Sequence, residues 1–165
     1  MPPEHRGVPI VEITRSYQFS AAHRMHNPAF SAAKNARLYG RCNNPTGHGH
    51  TYRLAVTVRG PVSADTGWVL RGEDLEALVR QHVLVRFDRA NLDQLISPAD
   101  GVTSTTEVLA GLLWRLLDGA LPGDMLWRLR IEETPNNFFE INRPLLQRPA
   151  DGPGPAAGTQ KASHP

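Results

Sequence analysis

The chain has a single cysteine, Cys42, among its 165 residues. One thiol cannot form an intramolecular disulfide, and this scarcity excludes the zinc modules that are built mainly from cysteine. No apolar run approaches the roughly 20 residues of a membrane-spanning helix, so we expect no contact with a membrane. The first residues also lack the apolar stretch of a secretory signal, which predicts a soluble, cytoplasmic protein.

The chain also lacks a strong excess of either charge. The 18 lysine and arginine residues stand against 16 aspartate and glutamate residues, which gives a formal net charge of +2. The basic residues are dispersed and no cluster of base-stacking aromatic residues accompanies them, so nucleic acid is not an expected partner. With 40% hydrophobic residues, the chain can build a core without disulfide staples.

The two ends of the chain are poor in large apolar residues. Residues 1–9 carry three prolines and are expected to form a flexible arm. Residues 147–165 are rich in proline, glycine and alanine and bury too little to offset the entropy of ordering, so we predict a disordered tail. Residues 10–146 are therefore expected to form the single domain.

The hydrophobic pattern predicts an α+β domain with the order β-β-α-α-β-β. Alternating apolar residues indicate strands at about 11–23, 48–59, 125–133 and 138–141. Helical spacing predicts helices at about 73–85 and from the hydroxyl run at 103–107 to Gly119. We expect a four-stranded antiparallel sheet with both helices on one face. Residues 27–44 are predicted to form a long loop, and such loops in compact domains are often functional.

Three histidines lie where the first two strands are predicted to meet. His48 and His50 flank Gly49 at the start of the second strand, and residues two apart on a strand point the same way. His23 ends the first strand, so pairing of the strands would bring three imidazoles together. Such ligands suit Zn²⁺, and three of them leave the open position of a catalytic site. Ordinary surface or core histidines would give the same short motif.

Two other residues have the chemistry of an active site, although each has a simpler explanation. Cys42 could act as a general base or nucleophile if a metal and neighbouring cations favoured its thiolate, or it could be a small residue packed in a loop. Glu133 has the inward parity of the third predicted strand, where a carboxylate needs donors such as the N–H groups of a 2-amino-4-oxo pyrimidine edge. If that strand ends at Ile131, Glu133 is solvated instead.

Several sequence stretches resemble the 6-pyruvoyl-tetrahydropterin synthase family. The two longest are FSAAHRMHNP at 19–28 and GRCNNPTGHGHTY at 40–52. Shorter matches occur, in the same order, at 56–61, 103–107 and 133–134, so that the resemblance covers about residues 11–142. It implies a tunnelling fold whose units form trimers that stack into a hexamer, with active sites between subunits.

The resemblance also implies a reaction and the residues that perform it. Members of the family take 7,8-dihydroneopterin triphosphate, eliminate triphosphate and shift protons along the side chain. His23, His48 and His50 would bind Zn²⁺, which would act as a Lewis acid. Cys42 would be the base that abstracts a proton from the substrate.

The pterin itself would be held by a second set of residues, which the same resemblance implies. Glu133 would anchor the edge of the pterin ring. Thr105, Thr106 and Glu107 would assist it from the start of the second predicted helix. The substrate expected from this set is a pterin-like small molecule.

The chain departs from the family at one position. Family members usually carry Asp-His where this chain has Asp88-Arg89. The histidine would exchange protons with Cys42, with the aspartate orienting it, but arginine stays protonated and cannot carry a proton. Arg89 could still hold a thiolate or bind a triphosphate oxygen. Either another group, such as His26 or water, supplies the proton, or the chemistry has moved to a different substrate or transformation.

Four functions therefore stay open. The leading one is a zinc-dependent carbon–oxygen lyase of the pyruvoyl branch, because the five residues between Cys42 and His48 are typical of that branch. A shorter gap is typical of 6-carboxy-tetrahydropterin synthases, which feed queuosine-type deazapurine synthesis. The other two are a diverged enzyme, favoured by Arg89, and a zinc-containing module that binds a pterin without turnover.

Overall fold

The computed structural model describes residues 7–96 and 102–146 of the chain. The predicted tail, 147–165, and the first six residues of the predicted arm lie outside the described residues. Across the two described ranges, no helix has both the length and the apolar character needed to cross a bilayer.

A mixed sheet forms one layer of the fold. The described strands are, in chain order, β1 (Ile10–His23), β2 (His48–Pro61), β3 (Ala90–Asn91), β4 (Leu126–Thr134) and β5 (Asn137–Asn142). Their spatial order is β3-β1-β2-β4-β5. Neighbours are antiparallel except β3, which runs parallel to β1 beside Ala21 and Ala22. The prediction of a four-stranded antiparallel sheet was therefore wrong, because a two-residue strand has no periodicity that a sequence could reveal.

Helices and short helical turns connect or follow these strands. They are, in chain order, α1 (Ala32–Tyr39), α2 (Gly72–Val79), α3 (Val85–Phe87), α4 (Leu92–Leu95), α5 (Thr106–Ala120) and α6 (Arg143–Leu146). A π-helical turn at Arg80–Leu84 joins α2 to α3, so the predicted helix at 73–85 is present within a longer one. Thr105 caps the start of α5, where its hydroxyl accepts the N–H of Val108, as the hydroxyl run predicted.

The segment at 27–44, predicted to be a long loop, contains α1 and a 3₁₀ turn at Gly40–Asn43. Ser31 caps α1 by accepting the N–H of Lys34. The buried amide of Asn35 donates to the carbonyl of Phe30, among other backbone oxygens. This short helix is held by side-chain-to-backbone bonds and has no long apolar stripe, so hydrophobic periodicity did not reveal it.

The hydrophobic core lies between the sheet and the long helices. Alternate residues of β1 and β2, such as Phe19 and Tyr52, are buried against the apolar stripe of α5. The fully buried residues of that stripe include Leu109, Leu113 and Leu117. The same two-residue period places His23 and His50 on the core face, at the end of the sheet.

Candidate active site

The register of β1 and β2 brings three histidines together. His23 lies directly opposite His48, and Ala21 lies opposite His50. One possible ligand atom from each histidine lies within 4.8 Å of the others, close enough to hold one metal ion. The predicted convergence of the three imidazoles is therefore confirmed.

The hydrogen bonds around these rings leave nitrogen lone pairs available to a metal. His23 Nδ1 donates to the carbonyl of Ser104 at 2.6 Å, which makes Nε2 the unprotonated nitrogen of the neutral ring. The Nε2 atoms of His23 and His50 are buried and have no hydrogen-bond partner among the described residues. Buried polar atoms without partners are rare and call for an explanation. A metal ion supplies one, and three imidazoles are a donor set that fits Zn²⁺.

The electrostatic environment favours neutral rings. Burial is the main factor that lowers the pKa of both His48 and His50, and the neighbouring imidazoles lower it further. The carboxylate of Glu133 opposes this effect without reversing it. Since only a neutral imidazole can bind a metal, the direction of these pKa shifts prepares the site for an ion at neutral pH.

Glu133 lies beside the histidines near the end of β4. Its Oε1 is 3.7 Å from Nε2 of both His23 and His50, and it accepts a 2.6 Å bond from the Thr106 hydroxyl. Its Oε2 accepts a 3.0 Å bond from the amide of Asn137. Only 16% of the side chain is exposed. Glu133 is thus an inward, partnered carboxylate, as its strand parity predicted, and the solvated alternative does not apply.

Tyr52 packs against the cluster from inside the core, a role that our sequence analysis did not assign. Its side chain is fully buried, and its ring centre lies 5.6 Å from that of His50 and 5.2 Å from that of Phe19. Burial raises the pKa of Tyr52, and the nearby carboxylate of Glu133 raises it further, so the phenol stays neutral. The parity of β2, which Tyr52 shares with His48 and His50, was the available signal.

Two residues of the predicted pterin set, Thr105 and Glu107, make no hydrogen bond or ion pair with this cluster in the described part of a single chain. Thr105 uses its hydroxyl to cap α5, at 3.4 Å from the backbone nitrogen of Val108. Glu107 is exposed in the first turn of α5, and within the described residues its side chain has neither a hydrogen bond nor an ion pair. Of the helix-start residues, only Thr106 contacts Glu133.

Cys42 lies in the 3₁₀ turn that follows α1 and is a half-buried, free thiol. Its carbonyl accepts the N–H of Met25 at 2.8 Å. The next residue, Asn43, bonds Arg24 through its carbonyl at 3.1 Å and His26 through its side-chain oxygen at 2.9 Å. These contacts hold the turn against the segment that directly follows β1.

Asp88 and Arg89 contact the sheet at a different point. The N–H of Ser20 donates to Asp88 Oδ1 at 2.9 Å, and the Ser20 carbonyl accepts the N–H of Arg89 at 2.5 Å. Ser20 faces away from His23 because three residues on a strand reverse the side-chain direction. The Arg89 side chain is 90% exposed, and its nearest charged partner is Asp88 at 3.9 Å.

Cys42 and the Asp88–Arg89 pair are thus held by different neighbours within one chain. Among the residues that the structure describes, no hydrogen bond or ion pair joins Cys42 to Asp88 or to Arg89. The metal-ligating and carboxylate parts of the predicted site, by contrast, form a continuous cluster.

Comparison with known proteins identifies a family that matches this chain. The family described as 6-pyruvoyl tetrahydropterin synthase matches residues 12–144. The 6-pyruvoyl tetrahydrobiopterin synthase of Poecilia reticulata is 41% identical over 137 residues, which span 83% of this chain and 91% of that protein. The human protein of the same name is 37% identical over 127 residues, which span 77% of this chain and 88% of the relative.

A solved structure agrees with these relatives in fold. The 6-pyruvoyl tetrahydropterin synthase of Caenorhabditis elegans superimposes with a TM-score of 0.76 at 36% identity, over 82% of this chain and 96% of that one. The chain therefore belongs to the 6-pyruvoyl tetrahydropterin synthase family.

Proposed function

We propose that the chain is a zinc-dependent lyase that acts on 7,8-dihydroneopterin triphosphate and eliminates triphosphate. The observation that carries this proposal is the convergence of His23, His48 and His50 beside Glu133. Relatives named 6-pyruvoyl tetrahydrobiopterin synthase support a lyase of tetrahydrobiopterin biosynthesis.

The three histidines would hold the Zn²⁺ ion. The unpartnered Nε2 atoms of His23 and His50, and the lowered pKa of His50 and His48, support this assignment. When bound, the ion supplies Lewis acidity, which polarises the side-chain oxygens of the substrate and makes the neighbouring C–H bonds more acidic. His23 keeps its ligand nitrogen available by donating its other N–H to Ser104.

Glu133 would accept N–H bonds from the edge of the pterin ring. Thr106 and Asn137 each donate to one of its oxygens and thereby orient the carboxylate. A carboxylate has about four lone-pair sites, so both oxygens can accept a further bond from a ligand. Bonds to a charged acceptor contribute roughly 1.5–3 kcal/mol each, which suits an anchoring role.

Cys42 of one chain would abstract the proton, and the Asp88–Arg89 pair of another chain would hold its thiolate through the Arg89 guanidinium. The exposure of Arg89 supports a role outside its own chain. The edge of β1 beyond β3 and the outer edge of β5 have no partner strand within the described residues. Open edges on opposite sides of a sheet favour head-to-tail association, which forms a ring when the rotation between neighbouring chains closes. This supports the trimer or hexamer with active sites between subunits.

The direct test is incubation of the full chain with 7,8-dihydroneopterin triphosphate, followed by mass spectrometry. We expect release of inorganic triphosphate and a pyruvoyl product, lost after metal removal and restored by Zn²⁺. Acetaldehyde trapping separates the two branches, because only the 6-carboxy route releases a two-carbon fragment. Retention of zinc and pterin without any product would contradict the lyase and favour a binding module.

Arg89 favours a second candidate, a diverged enzyme with another substrate or reaction. The matched test is Arg89→His. If the proposed lyase is correct, water or His26 already supplies the proton, and we expect turnover to change by less than about tenfold. A rise of about 100-fold, the size of a general acid–base contribution, would indicate that the native chemistry has moved elsewhere.

A further inference from the structure

Asp93 bonds both to the residue that follows His23 in the chain and to the residue whose carbonyl accepts the hydrogen bond of the His23 imidazole. The N–H of Arg24, the residue after His23, donates to both carboxylate oxygens of Asp93, at 3.1 and 2.9 Å. The hydroxyl of Ser104 makes a short hydrogen bond to Asp93 Oδ1. The carbonyl of Ser104 in turn accepts the Nδ1–H of His23 at 2.6 Å. The hydrogen bonds and the covalent chain thus form a closed ring through these four residues.

The hydrogen-bonded ring is shielded from water at His23 and Ser104. His23 is 2% exposed and Ser104 is 4% exposed, so solvent does not readily replace their hydrogen bonds. Asp93 itself is fixed at the start of α4, where its N–H donates to Asn91 Oδ1 at 2.9 Å. The Asp93 carboxylate thereby holds the backbone of Arg24 next to His23. It also holds Ser104, whose carbonyl accepts the Nδ1–H of the His23 imidazole.

From this closed ring of hydrogen bonds and covalent chain we infer that Asp93 is a positioning residue of the metal centre. It acts through Ser104 and Arg24 to keep the His23 ring oriented, with Nδ1–H donated to a carbonyl and Nε2 facing His48 and His50. The inference rests on the proposed metal site. Partners that orient a ligating histidine typically contribute about 10- to 100-fold to metal affinity. A merely structural Asp93 would change the stability of the fold and leave the affinity of the folded protein unchanged.

The first measurement is the Zn²⁺ affinity of the full chain, by competition with a chromophoric chelator. We expect Asp93→Asn to bind Zn²⁺ about 10- to 100-fold more weakly than the original chain. The matched control is Asp65→Asn, which removes the same charge from an exposed turn and should bind normally. Ser104→Ala, which removes only the hydroxyl bond to Asp93, should give a smaller loss of Zn²⁺ affinity. It replaces Asp93→Asn as the test variant if Asp93→Asn does not fold.

The second measurement is the tautomer of His23 in the metal-free protein, read from the ¹⁵N chemical shifts of the imidazole. We expect the Nδ1–H form in the original chain and a mixture of tautomers in Asp93→Asn. Equal Zn²⁺ affinity together with an unchanged tautomer in that variant would overturn the inference. If the original chain binds no Zn²⁺, the proposed metal centre is wrong, and the tautomer alone then decides the role of Asp93.

Discussion

The two halves of the candidate site differ in how far one chain can build them. The metal half consists of the three histidines and Glu133, and the pairing of β1, β2 and β4 closes it. The proposed proton-transfer half consists of Cys42, which contacts the segment after β1, and the Asp88–Arg89 pair, which contacts Ser20 within β1. Backbone register within one chain fixes the metal half, whereas the proton-transfer half includes an exposed side chain at the edge of the sheet.

This difference has a consequence for activity. Since the metal half needs only intrachain pairing, we expect an isolated chain to bind Zn²⁺ and to hold a pterin edge. If turnover uses the proposed proton-transfer half as well, we expect it to depend on association of chains. Variants that damage one half and spare the other are therefore the informative ones.

The largest effect is expected from His50→Ala, which breaks the metal half. Its Nε2 makes no hydrogen bond within the described residues, so the substitution removes a ligand atom without breaking a hydrogen bond at that nitrogen. The Lewis acidity of a bound metal stabilises a transition state by several kcal/mol, so turnover should fall roughly 1,000-fold. Metal content and turnover are measured together, with His82→Ala as the control outside the site. Full zinc content in His50→Ala would remove this residue from the metal half.

Glu133→Gln is expected to give the next largest effect. The amide keeps the size of the side chain but loses the charge that would anchor the pterin, so the KM should rise about 10- to 100-fold. Zn²⁺ binding should persist, since the three histidines are intact. The matched control is Glu132→Gln on the opposite face, where Glu132 lies 4.0 Å from Arg53. An equal rise in KM for both variants would show that Glu133 has no special role.

The sequence could predict the metal half because strand parity is a local property. Alternation alone placed His48 and His50 on the same side of their strand and Glu133 on the inward face, since the backbone fixes the direction of successive side chains. β3 and the role of Asp93 could not be predicted in this way. A two-residue strand has no pattern of its own, and the bonds of Asp93 to Arg24 and Ser104 join segments that only the folded chain brings together.

The acid sensitivity of the metal-free protein should include a contribution from His48 and His50 of the metal half. The pKa values of His48 and His50 are lowered in the folded state, so the unfolded chain binds more protons below its histidine pKa of about 6.5. Their contribution to stability is therefore complete above that pH and is lost as the pH falls below it. Melting temperatures between pH 7.5 and 5, chosen to span about that pKa, test this. His50→Ala should give a shallower decline, and an identical slope would contradict the assignment.

Arg89→Gly should have the smallest effect on stability, and it tests the proton-transfer half most directly. Arg89 has a φ of 59°, a left-handed conformation that costs a residue with a Cβ roughly 1–2 kcal/mol and glycine almost nothing. Its side chain is 90% exposed, so little packing is lost. The free energy of unfolding, measured with urea, should therefore stay constant or rise by about 1 kcal/mol while turnover falls.

The neighbouring Ala90→Gly is the matched control for that variant. Ala90 lies in β3 with ordinary strand backbone, so glycine there should lower the free energy of unfolding by roughly 0.5–1 kcal/mol. Changes of opposite sign in the free energy of unfolding for Arg89→Gly and Ala90→Gly would show that the backbone at Arg89 favours glycine over arginine. The role of Arg89 would then lie in its side chain. A clear loss of stability in Arg89→Gly would instead mean that the guanidinium supports its own chain, and the two halves of the site would no longer differ in this respect.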